Sequence, residues 1–128
     1  LGTAGARLDD LLTWLPCRLV ALGLPALRGS GPVESWRRFR RALREGAPDP
    51  SPNAGVSQAA YALSAAVQLG GVNHYQGVAK AKPVLAAEYA NADPAALERI
   101  LELSRRLEAA WLATGLLLCG ALKALGAA

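Results

Sequence analysis

A chain of 128 residues supports one contiguous core and gives no reason to look for two domains. Its 52% hydrophobic, 19% charged and 5% aromatic residues, with Ala and Leu dominant, favour helices in either a soluble bundle or a helical membrane protein. The net charge of +4 gathers at Arg37, Arg38, Arg40, Arg41 and Arg44, while one His and two distant cysteines without a CxxC leave no paired-cysteine metal site.

The chain starts at Leu1 and holds no Met, so an internal start within a longer protein is expected, with any targeting segment outside it. Residues 7 to 27 place Leu8, Leu11, Leu12, Leu15, Leu19 and Leu22 at helical spacing, which predicts one apolar stripe. Pro16 is expected to kink or break that helix, Arg7 and Asp10 are spaced to pair, and Arg18 interrupts an otherwise apolar run. Cys17, and Cys119 far downstream, read as buried small apolar residues.

A second helix is announced by Gly31, Pro32 at the first helical position and Glu34 near the positive end of the dipole; Gly46 and Pro48 stop it. Val33, Trp36, Phe39 or Arg40, and Leu43 share one side and the arginines cover the rest, the pattern of an interfacial helix. Residues 47 to 55 hold three prolines and no large apolar side chain, which predicts a stiff loop. Residues 56 to 69 then form an Ala-rich helix with Tyr61, Leu63, Val67 and Leu69, ended by Gly70 and Gly71, whose small side chains permit close packing.

Residues 70 to 83 read as a second polar loop carrying Asn73, His74, Tyr75, Gln76, Gly77, Lys80 and Lys82. Asp93 and Pro94 open the last helix as cap and first residue, with Leu97, Ile100 or Leu101, Leu107 and Trp111 on its buried face. From Ala109 to Leu122 it is apolar on every face, about 21 Å of helix against a hydrocarbon core of about 30 Å. If Lys123 snorkels, the apolar stretch runs on to Ala128, so the pattern alone leaves a spanning and a half-spanning helix open.

No phosphate-binding loop, HExxH or dinucleotide fingerprint is present. Gly55 to Ala59 imitates a nucleophile elbow but lacks its last glycine and follows a proline-rich loop instead of a strand, so Ser57 reads as a helix-start residue. The arginine run, with Trp36 and Phe39 among it, admits a basic helical module binding RNA or anionic lipid through Arg37 to Arg44; a solvated or headgroup-facing helix is simpler, because no second basic strip follows it. A structural bundle subunit is a further alternative, resting on the apolar stripes alone. Asp9 and Asp10 point about 100° apart on a helix, so one suits magnesium while the other pairs with Arg7, or both are first-turn acids favoured by the helix dipole. His74 reads as a loop hydrogen-bonder.

Three blocks carry a family resemblance. Ala6-Arg7-Leu8-Asp9-Asp10 with Trp14-Leu15-Pro16-Cys17-Arg18-Leu19, then Ser51-Pro52-Asn53-Ala54-Gly55, then Leu69-Gly70-Gly71-Val72-Asn73-His74-Tyr75-Gln76-Gly77 with Lys82-Pro83, together resemble the CobD/CbiB family of adenosylcobinamide-phosphate synthases. In order and spacing they cover about residues 4 to 83. Cys17 replaces the family's usual Ala, Asp49 stands where a His commonly precedes the SPN block, Ala47-Pro48 replaces basic residues, and Gln58 sits where an acid is frequent.

The resemblance implies an all-α fold, a helical membrane protein fragment with two long polar loops, in which residues 1 to 128 are the carboxyl-terminal portion of a multi-pass protein of the cell membrane. It implies a role in cobalamin biosynthesis as a carbon–nitrogen ligase that joins aminopropanol phosphate, or a related amino alcohol, to adenosylcobyric acid with ATP and Mg2+. Metal binding is expected at Asp9 and Asp10, phosphate or corrin carboxylate binding at Arg7 and Arg18, and binding of substrate amides at Asn53, Asn73 and Tyr75; no catalytic residue is assigned. Small-molecule substrates and a membrane, and no nucleic acid, are the expected partners. The two polar loops are expected to meet at one site, and the arginine run to lie on the cytoplasmic side.

Overall fold

The computed structural model describes residues 2–126, in the order α1 (Gly2–Leu27), α2 (Pro32–Gly46), α3 (Pro52–Ala65), β1 (Leu69–Tyr75), β2 (Val78–Leu85) and α4 (Pro94–Gly126). Helix α3 is the centre. Val56, Ala59, Ala60, Ala62, Leu63, Ser64 and Ala65 are all buried, so α3 is covered on nearly every side by α1, α2 and the first half of α4.

Small side chains around α3 decide which faces its neighbours turn inward. On α1 the buried residues are Cys17, Ala21, Leu24 and Pro25, whereas the stripe Leu8, Leu11, Leu12, Leu15, Leu19 and Leu22 faces outward, Leu11 being 72% exposed. The predicted apolar stripe of α1 is thus its outer face: Cys17 and Ala21 let the backbones approach as the bulkier leucines do not. Helix α2 repeats the choice, burying Ser35, Ala42 and Gly46 with Phe39 and Leu43 at the margin, while Val33 and Trp36 stay exposed. Helix α1 also runs through Pro16 and Pro25 without the expected break; each proline removes one backbone bond, and packing on α3 holds the turns on either side.

The proline-rich stretch is shorter as a loop than its composition predicts. Ser51 is extended at the cap position and Pro52 opens α3, where a missing N–H costs nothing. The helix also ends earlier than expected: Ala66 adopts the left-handed conformation and its successor Val67 donates to the Ala62 carbonyl, so Val67 and Leu69 lie beyond the helix. Between α2 and α3 the backbones touch. A Cβ on Gly55 would stand 2.7 Å from the Cβ of Asp49 and closer still to the Gly46 carbonyl oxygen, and one on Gly46 would meet the Val56 nitrogen.

The second expected loop is a β-hairpin, which corrects the all-α reading. β1 and β2 pair antiparallel from Tyr75 opposite Val78 to Gly71 opposite Lys82, with a bulge between Leu69 and Gly71. Gln76 and Gly77 both have positive φ, 52° and 80°, as a two-residue turn of the favoured hand requires. Along β2 only the end residue, Leu85, is buried, and it anchors the ribbon in the core.

Asp93 caps α4 as its position predicts, its Oδ1 accepting from the Ala96 N–H at 2.6 Å. The buried face of α4 is Ala96, Leu103 and Leu107 with Ile100 packed beside them; Leu97, Leu101 and Trp111 remain exposed. Past Thr114 no described residue of another element is placed beside the helix, and Leu112, Leu116, Leu117, Leu118, Leu122 and Leu125 are bare. Cys119 is likewise exposed there, not buried as expected, while Cys17 is buried. The 33 residues of α4 rise about 50 Å. Arg7–Leu27 of α1 and Pro94–Gly126 are each long and apolar enough to cross a membrane. They run antiparallel where they meet: Leu19, Leu22 and Gly23 lie beside Leu107, Trp111 and Thr114, and Arg28 beside Arg99 and Arg106.

Replacing Gly55 by Ala is expected to lower stability by about 1–3 kcal/mol through overpacking against fixed backbone. Gly115, with nothing within 4 Å of a Cβ, gives the opposite sign, up to about 1 kcal/mol of stabilisation on change to Ala. Unfolding midpoints of the two variants in one detergent read the difference.

Candidate functional site

Asn53, at the first turn of α3, draws α1 onto the helix start. Its Nδ2 donates to the Asp10 carbonyl at 2.7 Å and to Thr13 Oγ1 at 3.0 Å, its Oδ1 accepts from Arg18 Nη1, and its backbone carbonyl accepts from Cys17 Sγ at 2.9 Å. Buried and bonded on both sides of its amide, Asn53 works on neighbouring groups instead of reaching outward. Thr13 in turn donates to the Asp9 carbonyl at 2.8 Å, which ties the Asp9-Asp10 turn to the same network.

Arg18 is held on two sides. Nη1 donates to the Trp14 carbonyl at 3.1 Å as well as to Asn53, and the guanidinium lies 4.5 Å from the centre of the Trp14 ring, a cation–π contact that fixes its plane. Among the described residues, Nε and Nη2 have no partner, so a half-buried, oriented pair of donors remains for an anion.

A cleft of about 340 Å³ opens between α1 and α3, lined by Asp9, Thr13, Cys17, Ser51, Asn53 and Ser57 among others. Asp9 supplies its one carboxylate and Thr13, Ser51 and Ser57 supply hydroxyls. Asp10 and Arg7 lie exposed on the neighbouring surface of α1, and among the described residues the expected Arg7–Asp10 ion pair is not formed. No group of three or more His, Cys, Asp or Glu side chains comes together among the described residues. A single carboxylate beside hydroxyls fits magnesium only as the ion takes most of its shell from water and phosphate.

Two of the expected site residues stand apart from this cleft. Asn73 sits on β1 opposite Lys80, and Tyr75, whose side chain lies outside the described residues, pairs through its backbone with Val78 beside the turn. The ribbon that carries them is tied back at its base. Lys82 Nζ donates to Asp49 Oδ2 at 2.8 Å, while Asp49 Oδ1 accepts from the Ser51 N–H at 2.9 Å, two residues before Asn53. The contact between the two polar segments is thus at the base of the ribbon, Lys82 on Asp49, and Asn73 and Tyr75 are not among the residues that line the cleft with Asn53.

The arginine run is partly occupied by structure. Arg38 bonds Glu34 and the Leu63 carbonyl, and Arg41 bonds Glu45 and, through two nitrogens, Glu88. Two of the run's five arginines are thus committed within the protein, and Arg37, Arg40 and Arg44 are exposed.

The CobD/CbiB protein family model matches residues 1–104, which include every residue of the cleft and the hairpin. The chain belongs to the CobD/CbiB family. It is 53% identical over 85 residues to a cobalamin biosynthesis protein CobD of Synechocystis, covering 66% of this chain and 24% of that protein. Similarity to the CobD of Mycobacterium tuberculosis is 38% over 114 residues, 84% of this chain and 34% of the relative. The cobalamin biosynthesis protein CbiB of Salmonella arizonae is 37% identical over 83 residues, 65% and 26% of the two chains. This CobD/CbiB chain thus spans about a quarter to a third of the length of these relatives. No solved structure matches it.

Asp49, 6% exposed, is the residue that sequence reasoning missed, having been noted only as a departure from the family pattern. The local signal was present: an Asp two residues before a serine N–H, between prolines, is an Asx-turn. Lys82, then the Ser51 N–H, hold its carboxyl below the ordinary carboxylate range against the opposing effect of burial. A depressed folded value stabilises the protein above the unfolded pKa of about 3.9 and ceases to do so as pH falls through the folded value. Asp49→Asn is expected to cost about 2 kcal/mol at neutral pH and to flatten the loss of stability below pH about 4, as read from unfolding midpoints across pH. Limited proteolysis should cut the β-hairpin of this variant first.

Proposed function

We propose that the chain is the carboxyl-terminal portion of a multi-pass enzyme of the cell membrane that forms adenosylcobinamide phosphate, joining an amino alcohol phosphate to adenosylcobyric acid at the expense of ATP. Family membership supports the pathway. The observation that carries the site is the convergence of Asp9 and Asn53, from two separate sequence blocks, on one cleft, with Arg18 bonded to Asn53 at its side.

The chemistry asks for what that cleft offers. A carboxylate is a poor electrophile, so its oxygen first takes the terminal phosphoryl group of ATP, giving an acyl phosphate and ADP. The amine nitrogen then attacks the acyl carbon, the C–N bond forms, the C–O bond to phosphate breaks, and the nitrogen loses a proton. Negative charge develops on oxygen in both steps, where fixed donors stabilise it most. Arg18 presents such donors, pre-oriented by Trp14 and Asn53, and Arg7 adds an exposed cation on the adjacent surface. Asp9 and Asp10 would hold magnesium, which supplies positive charge to phosphate oxygens when bound. Asn53 acts as a positioning residue for Arg18, and Asn73 and Tyr75 of the ribbon contact substrate amides.

Changing Asp9 or Asp10 to Asn in the complete protein should, for at least one of them, lower amide formation by about 100-fold or more, with unchanged amounts in the membrane. Parental turnover and parental magnesium dependence in both variants would remove the metal role and leave two dipole-favoured acids.

The membrane reading has its own measurement. Cys119 lies in the bare apolar part of α4, so in native membranes it should resist a membrane-impermeant maleimide and react once the protein is denatured in detergent. Labelling of Cys119 in intact membranes at the rate of a free thiol contradicts insertion of residues 109 to 126.

A further inference from the structure

A second cleft, of about 170 Å³, lies on the other end of α3, between the end of α1 and the middle of α4. Arg28, Ser64, Ala65, Arg99, Leu103 and Arg106 line it together with Glu102. Arg28 Nη1 bonds the Leu63 carbonyl at 3.3 Å and the Ser64 carbonyl, and Arg99 Nε bonds the Ala65 carbonyl at 2.9 Å. Arg106 Nε bonds Glu102 at 2.8 Å, a carboxylate it shares with Arg105 at 3.4 Å. The other nitrogens of Arg28, Arg99 and Arg106 have no partner among the described residues. Three guanidiniums outweigh one shared carboxylate and the half charge of the α3 carboxyl end.

Ser64 gives an independent sign of a ligand. It is 2% exposed, and its Oγ is a buried side-chain polar atom with no hydrogen-bond partner among the described residues. Such a hydroxyl costs free energy unless something bonds it. The cleft exceeds the roughly 30 Å³ of one water, so it has room for a tetrahedral oxyanion beside the serine.

Its level in the fold indicates the source of that oxyanion. Arg28 follows directly on the apolar span of α1, and Arg106 lies three residues before Ala109, where the uncharged run of α4 begins after Glu108; the two helices run side by side from that point. Both change from apolar to charged at about the same height, the level that lipid headgroups take if the two helices span a bilayer. We propose that Arg28, Ser64, Arg99 and Arg106 form a binding site for the phosphate of an anionic membrane phospholipid. The site rests on the membrane reading of α1 and α4 and is separate from the Asp9–Arg18 cleft.

Arg106→Gln tests it without disturbing the capping of α3, since Arg106 bonds Glu102 alone among the described residues, and Ser64→Ala removes the hydroxyl while keeping the packing. The complete protein is reconstituted in nanodiscs of phosphatidylcholine with a minor share of phosphatidylglycerol, and co-purified lipid is counted by native mass spectrometry after release into detergent. Wild type should retain phosphatidylglycerol in preference to phosphatidylcholine, and each variant should lose about tenfold in that preference, the size of one charge-assisted hydrogen bond. Equal retention of both lipids by the wild type, or unchanged preference in both variants, overturns the proposal. So does saturable binding of inorganic phosphate, abolished by Arg106→Gln, in a protein that retains no phosphatidylglycerol; the site then serves a soluble phosphate. Recovery of wild type and Arg106→Gln in the membrane fraction is scored in parallel, so failure of the site and failure of membrane insertion give different results.

Discussion

A helix surrounded by protein has no water for its terminal carbonyls, and α3 meets that constraint with arginines from three other helices or their ends. Arg28 after α1, Arg38 on α2 and Arg99 on α4 reach the carbonyls of Leu63, Ser64 and Ala65. Each guanidinium satisfies acceptors that the helix leaves open and opposes the negative end of its dipole. The same four bonds fix how α1, α2 and α4 stand around α3. Positive charge that looked like a surface property in the sequence is thus partly a set of internal braces. Arg38 and Arg41, the two members of the arginine run with ion pairs, show this most clearly.

Close packing on α3 explains what could and could not be read from the residue order. Local chemistry was readable: Pro32 opens α2, Asp93 caps α4, and the Ala-rich segment is a tightly packed helix. Which face turns inward was not, because α1 carries two apolar faces, and periodicity favours the leucines over Cys17 and Ala21. Only the identity of the neighbour decides between them. The hairpin left even less trace: β2 alternates apolar and polar residues only from Ala79 to Lys82, with small alanines, and apart from Leu85 none of its residues is fully buried. Its one readable sign was Gly77 after Gln76 at the turn.

Asn53 shows how the site depends on that architecture. A buried amide that bonds the Asp10 carbonyl, Thr13 and Arg18 makes the start of α3 and the middle of α1 one unit. The sequence blocks around Asp9 and Asn53 were recognisable separately, and their joining was expected only through a shared family. The partner of the hairpin was different, since the contact falls on Asp49 and Lys82, at the base of the ribbon and away from the polar residues near its tip. Buried charge near the linker, not polarity of the tip, connects the ribbon to the cleft.

That attachment introduces a rule of parity into β2. Side chains alternate across a strand, so Lys82 can reach Asp49 only while an unchanged number of residues separates it from Leu85, which is fixed in the core. One residue inserted between them would turn the ammonium to the opposite face and sever the tether. Matched additions to both strands beyond Asn73 and Lys80 would lengthen the ribbon and leave its base alone. The reach of the tip is free to drift over evolutionary time, whereas the four positions from Lys82 to Leu85 are frozen in length.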